Sequence, residues 1–96
     1  MTLHLLLFST ITLRAMNQTV YQQDTKVITG TVVDKEKNPL IGVSVVAVGT
    51  TTGGITDIDG RYSINVPQNS NQLKFSYIGF NDLVININKK TVINIT

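Results

Sequence analysis

The chain has 96 residues, no cysteine, one histidine and a formal net charge of +2. This length allows a single domain, the lack of cysteine excludes a disulfide framework and a zinc–thiolate site, and the weak, dispersed charge offers no attraction for nucleic acid. No run reaches the ~18 consecutive apolar residues of a membrane-spanning helix, so we expect a small domain without a membrane span of its own.

The first residues differ in composition from the rest of the chain. Residues 3–13 are rich in leucine and isoleucine, which is typical of the apolar region of a secretory signal peptide. No Lys or Arg precedes this run, so the leader is either atypical or shortened at its start. We predict a signal peptide and the start of a tether over residues 1–22, the rest of the tether over 23–26, and a folded domain over 27–96. The alternative is an N-terminal helix or an extra strand.

Beyond the tether, short β-branched runs are separated by turn residues and show no helical period. These runs predict strands over residues 27–33, 40–48, 55–57, 61–66, 73–77, 83–87 and 92–95. Six or seven strands with turn signals about every 8–12 residues are typical of a sandwich. The sequence therefore predicts an all-β fold, a small antiparallel β-sandwich.

The runs also predict which side chains are buried. Tyr62, Ile64 and Val66 alternate with polar residues, which indicates one buried face. Residues 40–48 carry apolar side chains on both faces, so we expect this strand to be covered on both sides for part of its length. Aromatic residues in strands belong to the core, whereas Phe80 lies in a predicted turn and is the aromatic residue we expect to be exposed and available for contact.

The turns between the strands contain the residues to which we assign structural roles. Pro39 closes the charged turn after the first strand, because its ring fixes the backbone φ angle. Asp57, Asp59 and Gly60 form a tight turn in which the carboxylates bond backbone N–H groups. Gly42 is assigned a turn role as well.

Catalytic and ligand-binding chemistry finds little support in the sequence. His4, the only histidine, lies in the predicted leader, so a nucleophile paired with a histidine base is not available to the domain. Alignment of an EF-hand loop on Gly60 places Ile55 and Val66 at the first and last ligand positions, and neither side chain can bind calcium. The glycines of 49–54 lack the Gly-Lys-Ser/Thr signature of a phosphate loop. We expect no enzymatic activity, no cofactor and no metal.

Three ordered motifs resemble a known family. They are 28–34 (ITGTVVD) with 38–45 (NPLIGVSV), the loop 49–51 (GTT) with 56–64 (TDIDGRYSI), and 73–80 (LKFSYIGF). This pattern is similar to carboxypeptidase regulatory-like domains, and especially to the N-terminal extension of SusC/RagA-type TonB-dependent outer-membrane receptors of Bacteroidetes.

The resemblance implies a transthyretin-like (prealbumin-like) sandwich that is not catalytic and that precedes the plug and barrel of a receptor importing glycans or peptides. It implies export to the periplasmic face of the outer membrane and contact with the receptor or with other envelope proteins. In this family pattern Gly60 supplies a positive φ to its turn.

Plug and barrel are both lacking from these 96 residues, so the alternative is a free-standing secreted sandwich that binds glycan or peptide or pairs a strand edge with an envelope partner. The uncharged strands also predict weak self-association.

Overall fold

The computed structural model describes residues 24–96, and every regular element within this range is a β-strand. The predicted leader and most of the tether lie outside the described residues. The strands are β1 (Thr25–Thr31), β2 (Ser44–Ala47), β3 (Gly53–Ile55), β4 (Arg61–Pro67), β5 (Gln72–Ser76) and β6 (Leu83–Asn86). The described part of the chain contains no helix long and apolar enough to cross a membrane.

The strands form two antiparallel sheets. In one sheet β1 pairs with β4, and in the other the order is β3-β2-β5-β6. Side chains from both sheets meet in one apolar core, and the ring of Tyr62 on β4 meets that of Phe75 on β5 edge to face, with 5.5 Å between ring centroids. The predicted all-β sandwich is confirmed, with six strands.

Burial along the strands follows the alternation in the sequence. On β4, Tyr62, Ile64 and Val66 are buried while the residues between them are exposed, and on β5 Leu73 and Phe75 are buried. A strand places successive side chains on opposite faces, so a sheet packed on one side buries every second residue. Alternating burial is therefore seen in both sheets, on β4 in one and on β5 in the other.

Strand boundaries differ from the sequence-based prediction at several places. β1 begins at Thr25, inside the segment interpreted as tether, and β3 spans Gly53–Ile55, so it shares only Ile55 with the predicted strand 55–57. On β2, Val45 and Ala47 are buried, but Val46 is only half-buried and the following Val48 is 37% exposed. The expected cover on both faces of this strand is therefore limited, because a two-layer sandwich buries only one face of each sheet.

The last predicted strand, residues 92–95, is replaced by two isolated parallel bridges: Val92 with Thr29 of β1, and Ile95 with Val32, which directly follows β1. We call residues 91–95 the terminal segment. Backbone hydrogen bonds join it to β1 at Thr91, Ile93 and Ile95, and the Ile95 carbonyl also accepts from the N–H of Val33, just after β1. The terminal segment thus adds an irregular edge to the β1–β4 sheet. A parallel partner was not predicted, since the order of strands in a sheet depends on contacts between residues far apart in the chain.

Candidate functional site

An apolar groove opens between the two sheets, at the end of the sandwich where β5 ends and β6 begins. It has a volume of about 670 Å³. Its floor includes the core residues Val43 and Phe75, and its walls include Phe80, Leu83 and the terminal Ile95. A concave apolar surface with a few polar groups at its rim is the usual form of a binding site, so this groove is the candidate site.

Phe80, expected from the sequence to be available for contact, lies at the wall of the groove with 63% of its surface exposed. The turn that carries it is closed by the hydrogen bond from Phe80 N–H to the Tyr77 carbonyl, 3.0 Å, and contains Gly79 with a φ of 84°. The Phe80 ring lies 5.6 Å from the half-buried Tyr77 ring, at an angle of 42°. Leu83, 40% exposed, also lines the groove, whereas Ile78, 94% exposed in the same turn as Phe80, does not line it.

The opposite wall of the groove includes the turn after β1, which Asp34 organises. Asp34 Oδ1 accepts hydrogen bonds from the backbone N–H of Glu36 and of Asn38, both 2.9 Å, and the Asp34 carbonyl accepts from the Lys37 N–H, 3.0 Å. Lys37 has a φ of 72°. Within the described residues, the Asp34 carboxylate accepts hydrogen bonds only from backbone N–H groups. Its role is therefore to hold the shape of this wall of the groove.

The turn predicted around Asp57 has the same construction. Asp57 Oδ1 accepts from the N–H of Asp59 and of Arg61, both 2.9 Å, and the Asp57 carbonyl accepts from the Gly60 N–H, 2.9 Å. The Asp59 carboxylate is exposed and makes no hydrogen bond within the described residues. In both turns an aspartate begins the loop and the residue three positions later has a positive φ, which is 72° at Gly60. The aspartate that begins each turn was the available sequence signal, because Asp side chains bond backbone N–H groups of the residues that follow them.

Gly60 is buried where the two turns meet. Its carbonyl accepts a hydrogen bond from Val32 N–H, 2.8 Å. A Cβ atom at this position would lie 2.6 Å from the Val32 carbonyl oxygen and 3.0 Å from the Cβ of Pro39. Pro39 itself forms a bridge with Val33. Space and backbone conformation both restrict this position to glycine.

A buried threonine that the sequence analysis missed holds the loop before β2. Thr56 Oγ1 donates to the Leu40 carbonyl, 2.6 Å, and accepts from the Val43 N–H, 2.9 Å. Its carbonyl accepts from the N–H of Gly42, 3.1 Å, and Gly42 has a φ of 84° with open space around it. Gly42 is thus required by its backbone angle and not by a close neighbour.

Gly30, also missed by the sequence analysis, lies against the terminal segment. The Tyr62 hydroxyl donates to the Ile93 carbonyl, 2.6 Å, which lies over Gly30, and the Thr31 N–H bonds the Asn94 Oδ1, 3.0 Å, in place of that carbonyl. This exchange explains why the terminal segment is not a regular strand. A Cβ at Gly30 would overlap the Ile93 carbonyl. A glycine inside a strand pattern is the sequence signal for such a close approach.

The chemical groups around the groove favour binding. Within residues 24–96, no group of three or more His, Cys, Asp or Glu side chains is placed to hold a metal ion. Lys35, Glu36 and Asp82 stand at the rim of the groove, and the side chains between the rims are mainly apolar. Such a surface suits an apolar segment of another protein with polar groups at its ends.

Comparisons with known proteins point to one group of receptors. The chain is 36% identical over 92 residues to the TonB-dependent receptor P39 of Formosa agariphila, covering 96% of this chain and 8% of that protein. It is 35% identical over 71 residues to the TonB-dependent receptor P3 of the same organism, covering 73% of this chain and 7% of that protein. It is also 42% identical over 53 residues to the TonB-dependent receptor SusC of Bacteroides thetaiotaomicron, covering 55% of this chain and 5% of that protein. The chain thus spans less than a tenth of these relatives.

The model of the CarboxypepD_reg-like domain family matches residues 28–96. The matched range begins within β1 and includes the terminal segment, so it contains all six strands in whole or in part. It also contains the Asp57 turn, the groove and Gly30. The chain belongs to the CarboxypepD_reg-like domain family.

Proposed function

We propose that this chain is a non-catalytic accessory domain of a TonB-dependent outer-membrane receptor, exported to the periplasmic face of the outer membrane. The observation that carries the proposal is the family match over residues 28–96 together with relatives that are named TonB-dependent receptors. The apolar leader supports export, since residues 3–13 have the length and composition of a signal-peptide core.

The groove is the proposed docking surface, and its contact is the receptor's plug or barrel or another envelope protein. Phe80 exposes apolar area that a monomer gains nothing from exposing, and it lines a concavity of about 670 Å³. Aromatic side chains, phenylalanine among them, are enriched in protein interfaces relative to the rest of the surface. The structural roles proposed for Pro39 and Gly60 keep this end of the sandwich in place.

Site-specific photo-crosslinking tests the docking surface. Phe80 is replaced by p-benzoylphenylalanine in the full chain, which is made in a bacterium that carries a SusC-type receptor, and crosslinked products are identified by mass spectrometry. Ile58 is 75% exposed and does not line the groove, so the same replacement there is the matched control. We expect crosslinks to a receptor or envelope protein from position 80 and none from position 58.

Two further measurements separate this proposal from the alternatives. N-terminal sequencing of the exported chain should show cleavage within residues 1–22, and retention of the whole leader in the cytoplasm would contradict export. Binding to a glycan array that is lost in Phe80→Ala, without protein crosslinks, would favour the free-standing glycan-binding sandwich. Turnover of a substrate by the purified chain would overturn the non-catalytic role.

A further inference from the structure

The edge of the four-stranded sheet at β6 carries unpaired backbone groups. Within residues 24–96, β6 pairs only with β5. The N–H of Ile87, just after β6, bonds the Asn71 carbonyl on the β5 side, 2.8 Å. Because backbone groups alternate in direction along a strand, those of Ile85 also face β5, and those of Val84 and Asn86 point to the open edge.

This edge lacks the features that usually prevent pairing. β6 reads Leu-Val-Ile-Asn, with no charge and no proline, whereas soluble proteins protect open edges with lysine, proline or a covering element. Val84 is 47% exposed and Leu83 is 40% exposed. The outward backbone groups of β6 and its exposed apolar side chains are therefore available to a further strand.

The charges at the two ends of β6 indicate which strand fits. Asp82 precedes the strand, and Lys89 and Lys90 follow it after the turn at Asn88. An antiparallel copy of the same segment reverses this order, so each Asp82 comes close to the lysines of the other copy. A parallel copy would place like charges together. The charges at the two ends of β6 are thus complementary between two copies only when the copies are antiparallel.

We propose that two copies of this chain associate by antiparallel pairing of β6 with β6, forming one continuous sheet across the two molecules. With the symmetry axis at Ile85, Val84 of each copy lies opposite Asn86 of the other, and both residues have backbone groups pointing to the open edge. Each such pair exchanges two hydrogen bonds in an antiparallel ladder. The same symmetry keeps the buried face of both sheets on one side.

Amide hydrogen exchange and sedimentation of the full chain test the pairing directly. Raising the concentration from micromolar to millimolar should convert monomer to dimer, and it should slow exchange at the Val84 and Asn86 amides. The Ile85 amide already faces β5 and serves as the internal control, with unchanged exchange. A monomer at millimolar concentration, or association without protection of these two amides, overturns the proposal.

Charge substitutions identify the edge that associates. Val84→Lys places a charge on the exposed face of β6 and should weaken the dimer by roughly tenfold or more. Ile55→Lys is the matched control, because Ile55 is 69% exposed on β3 at the opposite edge of the same sheet. Equal weakening by both variants would mean general apolar association, and insensitivity to Val84→Lys would mean that the N-terminal apolar residues or another surface associates. Either result contradicts β6 pairing.

Charge reversal tests the direction of the pairing. Asp82→Lys should weaken the dimer about three- to tenfold at low salt, since two symmetric surface contacts become repulsive. Addition of Lys89→Asp and Lys90→Asp to this variant should restore the affinity, and high salt should reduce all these differences. Failure of the triple variant to recover, while its monomer unfolds like the wild type, would refute the antiparallel arrangement.

Discussion

Replacement of Gly30 by alanine should push the terminal segment away from β1 at Ile93. A Cβ at this position would overlap the carbonyl oxygen of Ile93, and would lie 2.7 Å from the carbonyl carbon and 2.9 Å from Cε2 of Tyr62. The Ile93 carbonyl is held in place by the Tyr62 hydroxyl at 2.6 Å, so neither neighbour can yield without breaking that hydrogen bond. The terminal segment is the element that can move, because it is held on one side only.

The expected loss in the free energy of unfolding can be estimated from the contacts of Ile93 that this movement breaks. The hydrogen bonds from Tyr62 to the Ile93 carbonyl and from Ile93 N–H to the Thr29 carbonyl are lost, at about 1 kcal/mol each. The Ile93 side chain, 5% exposed in the native structure, returns to water at a cost of about 1.5–3 kcal/mol. Alanine recovers about 0.4–1 kcal/mol through the unfolded state. We expect a net loss of about 2.5–4.5 kcal/mol, a large part of the ~5–15 kcal/mol typical of a domain.

Urea unfolding followed by circular dichroism and tyrosine fluorescence measures this loss. Gly54→Ala is the matched control, since its Cβ would meet only the Ser63 carbonyl oxygen at 3.7 Å, an ordinary contact. In a chain that ends at Lys90, Gly30→Ala should have little further effect because the obstructing segment is gone. An unfolding midpoint of Gly30→Ala equal to that of Gly54→Ala would refute the reasoning.

The remaining predictions concern the turns and two buried hydroxyls. Thr56→Val should lower the free energy of unfolding by about 2–3 kcal/mol, because two buried backbone groups lose their partner, whereas Thr56→Ser should retain most of the stability in the same urea titration. Gly60→Val should lower the free energy of unfolding by about 1–3 kcal/mol, because the φ of Gly60 is 72°. Lys37→Gly, at the equivalent position of the other turn, should raise the melting temperature. Unchanged melting temperatures in both variants would contradict the turn assignment. Burial raises the pKa of Tyr62 from 10.0 to about 12. The stability that its protonated form contributes should therefore be complete below pH ~10 and should be lost as the pH rises from 10 to 12. Tyr62→Phe should remove this part of the pH dependence measured by urea unfolding.

Several features of the fold could be predicted from the residues alone. The alternation of Tyr62, Ile64 and Val66, and that of Leu73 and Phe75, identified buried faces correctly, because period-two burial is imposed by the geometry of a single strand. Phe80 was singled out because a turn between glycine and asparagine offers little chance of burial, and it is 63% exposed. Such features depend on residues close together in the chain.

Only the tertiary structure decided what depends on distant residues. The parallel position of the terminal segment, the crowding around Gly30 and the two hydrogen bonds of Thr56 join parts of the chain separated by 13 to 63 positions. The groove likewise exists only where the turn after β1, the Phe80 turn and the end of the chain come together. The alternation of residues along a strand indicates which of its faces is apolar. Which element covers that face depends on the packing of the whole core, and therefore on all strands together.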